Sequence, residues 1–183
     1  MGNGQHSSGP DTAFDGLLVM LVQAGHARAA ERLTRRWHPR LLRTARRLVG
    51  SERAPDAVQE TWLSILRGLG RLRDPDRFAP WAFGILRRRC ADAIRTAQAD
   101  RARRGEARGT EPSHATGPDE GLAVAQAMVA LPPDQRLAAQ LFFVEGLTLA
   151  DISEVQQVPI GTVKSRLFHA RLRLKAALSG EAQ

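Results

Sequence analysis

The sequence predicts an all-α protein of two small helical domains joined by a flexible linker. Three observations carry that reading. Apolar residues recur at spacings of three and four along most of the 183-residue chain. No stretch alternates polar and apolar side chains with the β-branched enrichment of a strand. Residues 101–120 break the helical pattern with Gly, Pro, Ser, Thr and charge and almost no large apolar side chain, as a linker does.

The elements follow in order. A first helix over 14–24 puts Leu17, Leu18 and Leu21 on one side, behind an N-terminal tail (1–13) expected to be disordered. A long second helix carries Leu33, Trp37, Leu41, Ala45 and Leu48, and Gly50-Ser51 ends it. Pro55 suits the first turn of a third helix reaching Leu69. Asp74-Pro75-Asp76 marks a loop, and a fourth helix runs from near Pro80 to about Asp100. Beyond the linker, one helix covers 122–130 and another covers 135–145, closed by Gly146. Thr148 and Asp151 have the spacing of a capping pair for a short helix to about Val155. Val158-Pro159 is a turn, and the last helix covers 161–178.

Charge is unevenly placed. The net charge is +8, with 25 Arg and two Lys, Lys164 and Lys175. Residues 26–110 hold 21 basic and 9 acidic side chains, residues 111–159 hold one and seven, and residues 160–178 hold five and none. Two basic blocks around an acidic one suggest two polyanion contacts, although composition alone fits a scattered soluble surface equally well. The N-terminus lacks the basic and apolar regions of a signal peptide, and no apolar run approaches a membrane span, so a cytoplasmic protein without membrane insertion is expected. The one cysteine, Cys90, falls on the buried side of the fourth helix and reads as a small core residue. No metal-ligand spacing, phosphate loop or nucleophile motif appears, so neither catalysis nor a cofactor is expected.

Three helix faces are candidates for function. On the third helix Val58, Trp62, Ile65, Leu66 and Leu69 form a core stripe. Opposite them lie Asp56, Gln59, Glu60, Leu63 and Arg67, either a protein-docking strip or an ordinary solvated face; residue types favour the second. On the fourth helix Ala82, Phe83, Leu86, Cys90, Ala93, Ile94 and Ala97 share the core side. Trp81, Ile85, Arg88, Asp92 and Arg95 share the other, where the ring could stack on unpaired bases, or Trp81 and Ile85 could simply pack under the preceding loop. The helix pair 148–178 fits a helix-turn-helix. Val163, Leu167, Ala170, Leu174 and Ala177 form its buried stripe, Gly161, Thr162, Ser165 and His169 point outward, and Lys164 and Arg166 flank them.

Those residues also carry a resemblance. Leu131-Pro132-Pro133-x-Gln135-Arg136, Glu145-Gly146-Leu147-Thr148 and the run from Pro159 to Leu167 resemble region 4 of the extracytoplasmic-function (ECF) sigma factors of the sigma-70 family. Asp56-x-x-Gln59-Glu60-Thr61-Trp62-Leu63 resembles region 2.2, and Phe78-x-x-Trp81 with Ile85, Arg89 and Asp92 resembles regions 2.3 and 2.4. The likeness implies a region 2 domain over 14–100 and a region 4 domain over 121–180. Within them it places a polymerase-binding strip at about 52–65, −10 recognition at about 71–97 and the helix-turn-helix at about 149–168. It further implies that Asp56, Gln59, Glu60 and Leu63 dock on the clamp helices of the largest core RNA polymerase subunit. Arg77, Phe78, Trp81, Arg87, Arg88, Asp92 and Arg95 would take the unpaired −10 strand. Pro159, Gly161, Thr162, Lys164, Ser165, Arg166, Phe168, His169 and Arg171 would read the −35 element. Region 4 would meet the polymerase flap, the linker would thread toward the active-site and RNA-exit channel, and an anti-sigma factor would hold the protein inactive. No heptad seam appears, so a monomer is expected when free. The reading from another class is a stand-alone helix-turn-helix regulator; a nucleic-acid enzyme is disfavoured by the lack of a carboxylate cluster. Three positions depart from the family pattern: Arg88 where many members have Asn, Gln157 where many have Gly, and an outward Leu172 where a charged residue is usual.

Overall fold

A computed structural model of the chain describes residues 10–103 and 119–179, with side chains given from 11 to 103 and from 123 to 179. Among the described residues the regular elements are all helical. They are α1 (Pro10–Gln23), α2 (Ala27–Gly68), α3 (Phe78–Arg103), α4 (Asp119–Ala130), α5 (Pro133–Ala139), α6 (Leu149–Gln156) and α7 (Ile160–Leu178). Single 3₁₀ turns at Leu69–Arg71 and Pro75–Arg77 join α2 to α3, and a π-helical turn, Gln140–Val144, extends α5. Residues 104–118 of the expected linker and 1–9 of the expected tail lie outside the described residues. Helix α1 starts at Pro10, inside the span read as tail.

The second and third expected helices are one bent element. Gly50, at φ 83° and ψ 168°, breaks α2 into two segments, a backbone state that suits a residue without Cβ. Helix resumes at once, so Pro55 stands just beyond the first turn of the second segment. Trp37, Leu41, Val58, Ile65, Phe78, Phe83 and Leu86 fill the core of the α1–α3 bundle. Trp37 sits edge-on to Phe78 at 5.0 Å and to Phe83 at 5.7 Å. Cys90 is buried there, and burial pushes its thiol up to about 12, as expected of an inert core cysteine.

Four positions lie on other faces than the periodicity assigns. Leu17 is exposed on α1, whose inner side carries Leu18, Val19 and the buried Asp15, paired with Arg36 at 2.7 Å. Leu66 is 60% exposed, because the second segment of α2 turns its small residues Ala54, Ala57 and Thr61 inward instead. Ile94 is at the margin of exposure on α3, and Ala177 is exposed at the end of α7.

Helices α4–α7 form the second bundle. Thr148 and Asp151 make the expected capping box: the Asp151 N–H donates to Thr148 Oγ1 at 3.1 Å and the Thr148 N–H to Asp151 Oδ2 at 3.1 Å. Gly146, at φ 73°, ends the preceding helix. Gln157, at φ 55° and ψ 47°, is the C-cap of α6 and the one non-glycine residue at positive φ among the described residues. A left-handed non-glycine residue costs about 1–2 kcal/mol, and glycine gives back roughly 0.5–1 through unfolded-state entropy. Gln157→Gly is therefore expected to stabilise by up to about 1 kcal/mol, raising Tm by about 2–4 °C. A lowered Tm would mean that the glutamine side chain more than offsets its backbone.

The two bundles pack on each other. Helix α6 lies against α3 and α5 against α2. One apolar cluster runs across the seam, joining Leu137, Leu141, Leu147, Ile152 and Val155 to the core of the first bundle.

Candidate nucleic-acid and polymerase interfaces

The first face lies on the second segment of α2. Asp56, Gln59 and Glu60 are exposed and Leu63 is 37% exposed. Leu66 joins them instead of the core. With His38, Leu42, Pro55, Gln59, Trp62 and Leu63 it lines an apolar trough of about 380 Å³. A trough of this composition, bordered by two carboxylates, suits an amphipathic protein element. The sequence reading missed Leu66, Leu42 and His38. Leu66 was assigned inward by hydropathy, and the other two stand on a segment of α2 that was read as a separate helix.

The second face centres on Trp81 of α3. Its half-buried ring lies over the end of α2 at Gly68, where an added Cβ would come within 3.0 Å of the indole. Ser64, Trp81, Ile85, Arg88, Arg89 and Asp92 line a cavity of about 340 Å³. Arg89 is held across it by Ser64, its Nη2 donating to Oγ at 2.8 Å. Arg88 is exposed, and Arg95 pairs with Asp92. The cavity thus has an apolar floor and a guanidinium rim.

Two residues expected on this face are placed elsewhere. Phe78 is 1% exposed and belongs to the core beside Trp37, so it offers no ring to a nucleic acid. Arg87 stands about 120° round the helix from Trp81, at roughly 100° per residue, and is half-buried. Ile85 is 6% exposed and forms the cavity floor; the covered alternative applies to it. Arg77 closes the 3₁₀ turn just before α3 but is engaged, its Nη1 donating to Asp151 Oδ1 at 2.8 Å and its Nη2 pairing with Glu154.

The third face is on α7. Val163, Leu167 and Ala170 are buried and Leu174 partly so, which fixes the rotation of the helix. Pro159, Gly161, Lys164, Ser165, Phe168, His169 and Arg171 are exposed, and Thr162 is half-buried at the first turn. Arg166 is not on this face. Its Nη1 donates to Gln156 Oε1 at 2.6 Å and its Nη2 to Asp134 Oδ2 at 2.7 Å, so it ties α7 to α6 and to the start of α5. The positive end of the α7 dipole and the exposed Lys164 and Arg171 make the front of the helix attractive to phosphate.

Sequence comparison decides the family. The Sigma-70 region 2 model matches residues 33–100 and the Sigma-70 region 4 model matches residues 121–174. The ECF RNA polymerase sigma factor SigM of Mycobacterium tuberculosis is 34% identical over 165 residues, covering 90% of this chain and 84% of that protein. The chain belongs to the ECF sigma factors of the sigma-70 family. The RNA polymerase sigma-H factor of Pseudomonas aeruginosa is 32% identical over 187 residues, covering 90% of this sigma factor and 93% of its relative. Among solved structures, the sigma factor RpoE of Bartonella quintana, in complex with the anti-sigma factor NepR, gives a TM-score of 0.69 at 25% identity, covering 81% and 96% of the two chains. CnrH, in complex with the cytosolic domain of CnrY, gives 0.67 at 24%, covering 92% and 99%. As a sigma factor the protein binds core RNA polymerase and directs it to promoter DNA, and it is not itself an enzyme. No helix among the described residues is long and apolar enough to cross a membrane.

Proposed function

We propose that the three faces divide the work of promoter-directed initiation. The α2 face, Asp56, Gln59, Glu60, Leu63 and Leu66, docks on the clamp helices of the largest polymerase subunit. The Trp81 cavity takes an unpaired base of the −10 strand, with Arg88 and Arg89 on its rim, Arg95 beside it on Asp92, and Arg77 at its approach. The front of α7 reads the −35 element in the major groove, and region 4 rests on the polymerase flap. An anti-sigma factor restrains the protein; support comes from the RpoE relative, whose solved form is a complex with one.

The observation that carries this reading is the Trp81 cavity. A large ring seated on a glycine, with an apolar floor and arginines round the rim, can stack a base and hold its phosphates without needing a duplex. The test is transcript mapping with core polymerase plus this protein. Defined start sites are expected, whereas the protein alone should show only salt-sensitive, sequence-blind DNA binding. Tight operator binding by the isolated protein would instead make it a stand-alone regulator.

Arg88 gives a finer expectation. A guanidinium donates five hydrogen bonds and accepts none, whereas asparagine does both. Arg88→Asn should shift −10 preference away from acceptor-rich base edges while total activity changes little. Transcription from a randomised −10 library checks this, and an unchanged preference would remove Arg88 from base readout.

A further inference from the structure

Where α2 bends at Gly50 the chain forms a pocket of about 700 Å³ that none of the three faces uses. Arg46, Arg47 and Arg53 of α2, Arg101 of α3 and Arg136 of α5 line it. Glu52 is the one acidic residue among its described lining residues. Leu48, Ile94 and Val129 supply an apolar wall. Guanidiniums repel one another, and arginine keeps its proton at any ordinary pH, so a pocket built this way carries a fixed positive charge.

Two of these arginines are fixed in place yet short of countercharge. Arg136 Nη1 donates to the main-chain oxygen of Arg47 at 3.0 Å, and its Nη2 donates to the main-chain oxygens of Leu131, at 3.0 Å, and Val129. All three acceptors are neutral carbonyls, and no carboxylate pairs with Arg136 among the described residues. Its Nε is buried without any acceptor. Arg47 Nη1 donates to Gln140 Oε1 at 2.6 Å. Glu145 acts on Arg47 from nearby but already accepts from Arg40 and Arg43. Burial pulls both guanidiniums below the usual arginine value, and at Arg47 the charge of Arg43 adds to it. A buried donor without an acceptor and a buried charge without a counter-ion both cost stability, and a bound ion satisfies them. Arg46 and Arg53, on either side of the bend, have no hydrogen bond or ion pair among the described residues, so their donors are available.

We propose that this pocket binds a chain of linked phosphates, carried by a nucleoside polyphosphate or by inorganic polyphosphate. Linked phosphates gather several negative charges in a small volume, and the planar fork of each guanidinium matches phosphate oxygens two at a time. Arg46 and Arg53 grip the chain from the two segments of α2, and a phosphate against Arg136 supplies the countercharge that residue lacks. A single strand of nucleic acid fits less well. Sites for single strands add aromatic rings on which bases stack, and no aromatic side chain lines this pocket among the described residues.

Calorimetric titration of the full chain tests the site, with tripolyphosphate, ATP and inorganic phosphate as probes, no divalent cation, and NaCl at about 0.15 M to screen diffuse attraction. Tripolyphosphate and ATP should each bind about tenfold or more tightly than phosphate. At about one hundred times Kd either should raise Tm by about 5–10 °C. Both results uphold the site, and the tighter of the two names the source: ATP if the apolar wall holds a nucleoside, tripolyphosphate if the phosphate chain alone is bound. Arg46→Ala with Arg53→Ala should weaken binding about a hundredfold, since hydrogen bonds to charged groups are the strong ones. Arg28→Ala with Arg32→Ala removes the same charge from α2 at least about 20 Å along the helix, at 1.5 Å per residue, and should change binding little. If the first variant melts early, Arg46→Lys with Arg53→Lys keeps the charge, loses the forks, and should still weaken binding about tenfold. Equal losses in the two alanine variants, or equal affinity for phosphate and tripolyphosphate, would overturn the site and leave only net-charge attraction. A single-stranded oligonucleotide that binds more tightly than either polyphosphate and depends on Arg46 and Arg53 would overturn it in favour of a nucleic-acid track.

Discussion

Replacing Gln59, Leu63 and Leu66 together with alanine is expected to cost this sigma factor about two orders of magnitude or more in affinity for core polymerase, with little change in its thermal melt. The three side chains border one apolar trough. Leu63 and Leu66 are exposed, so their truncation opens no cavity in the core. Exposed substitutions usually stay within about 0.5 kcal/mol of stability, whereas the central residues of an interface commonly cost 2 kcal/mol or more each, about thirtyfold in Kd. In the proposed interface Asp56 and Glu60 stand at the rim, where charge changes act mainly on association rate and its salt dependence. Ile65 supplies the contrast. It lies on the same helix but is fully buried, so Ile65→Ala should lower stability by about 2–5 kcal/mol. Titration of labelled protein with core polymerase, beside a melting curve for each variant, separates the two. Unimpaired recruitment by the triple variant would overturn the docking assignment, and a large drop in its Tm would show that the face is part of the core.

What could be read in the sequence depends on the range of the interaction involved. Signals confined to a few residues read well. The Thr148–Asp151 box and the helix end at Gly146 are local backbone chemistry, and the structure has both in place. Helical period read less finely. It places a core face only to within about one residue's rotation, roughly 100°, and hydropathy is blind to small residues. On α2 the inward turn of Ala54, Ala57 and Thr61 displaced Leu66 outward, and on α1 Leu18 and Val19 displaced Leu17. Phe78 was taken for a DNA contact because of its place beside Trp81 in the motif. A ring at the start of α3 drops into the core against Trp37, while Trp81 remains half-exposed. Contacts of long sequence separation were not legible. The pairs Arg40–Glu145 and Arg77–Glu154 span 105 and 77 residues. The block pattern of charge was read as two polyanion contacts, and nothing in it says which acidic and basic side chains meet. Arg166 was expected at the groove for the same reason. Nothing local to α7 announces that Gln156 and Asp134 will take both arms of its guanidinium.

Phe168 and Leu172 test how far along α7 the DNA-reading surface extends. Both are large apolar residues on an otherwise basic helix, and they are 65% and 58% exposed. At that exposure Leu172 is not a core residue of the second bundle. They stand one turn apart, about 6 Å along the axis at 1.5 Å per residue. Phe168 is in the third turn, close enough to the front of the helix for its ring to meet a thymine methyl in the major groove. In the proposed docking Leu172 is carried past the groove, which leaves its exposed surface for a protein. Phe168→Ala should therefore flatten preference at one −35 base pair by about 1–3 kcal/mol, roughly tenfold per 1.4 kcal/mol. Leu172→Ala should leave promoter use and Tm unchanged while weakening inhibition by the anti-sigma partner. Selection on a randomised −35 library, an inhibition titration and a melt on each variant give the comparison. Loss of −35 preference in Leu172→Ala would extend the DNA surface along the whole helix. A lowered melt with normal inhibition would return Leu172 to the fold.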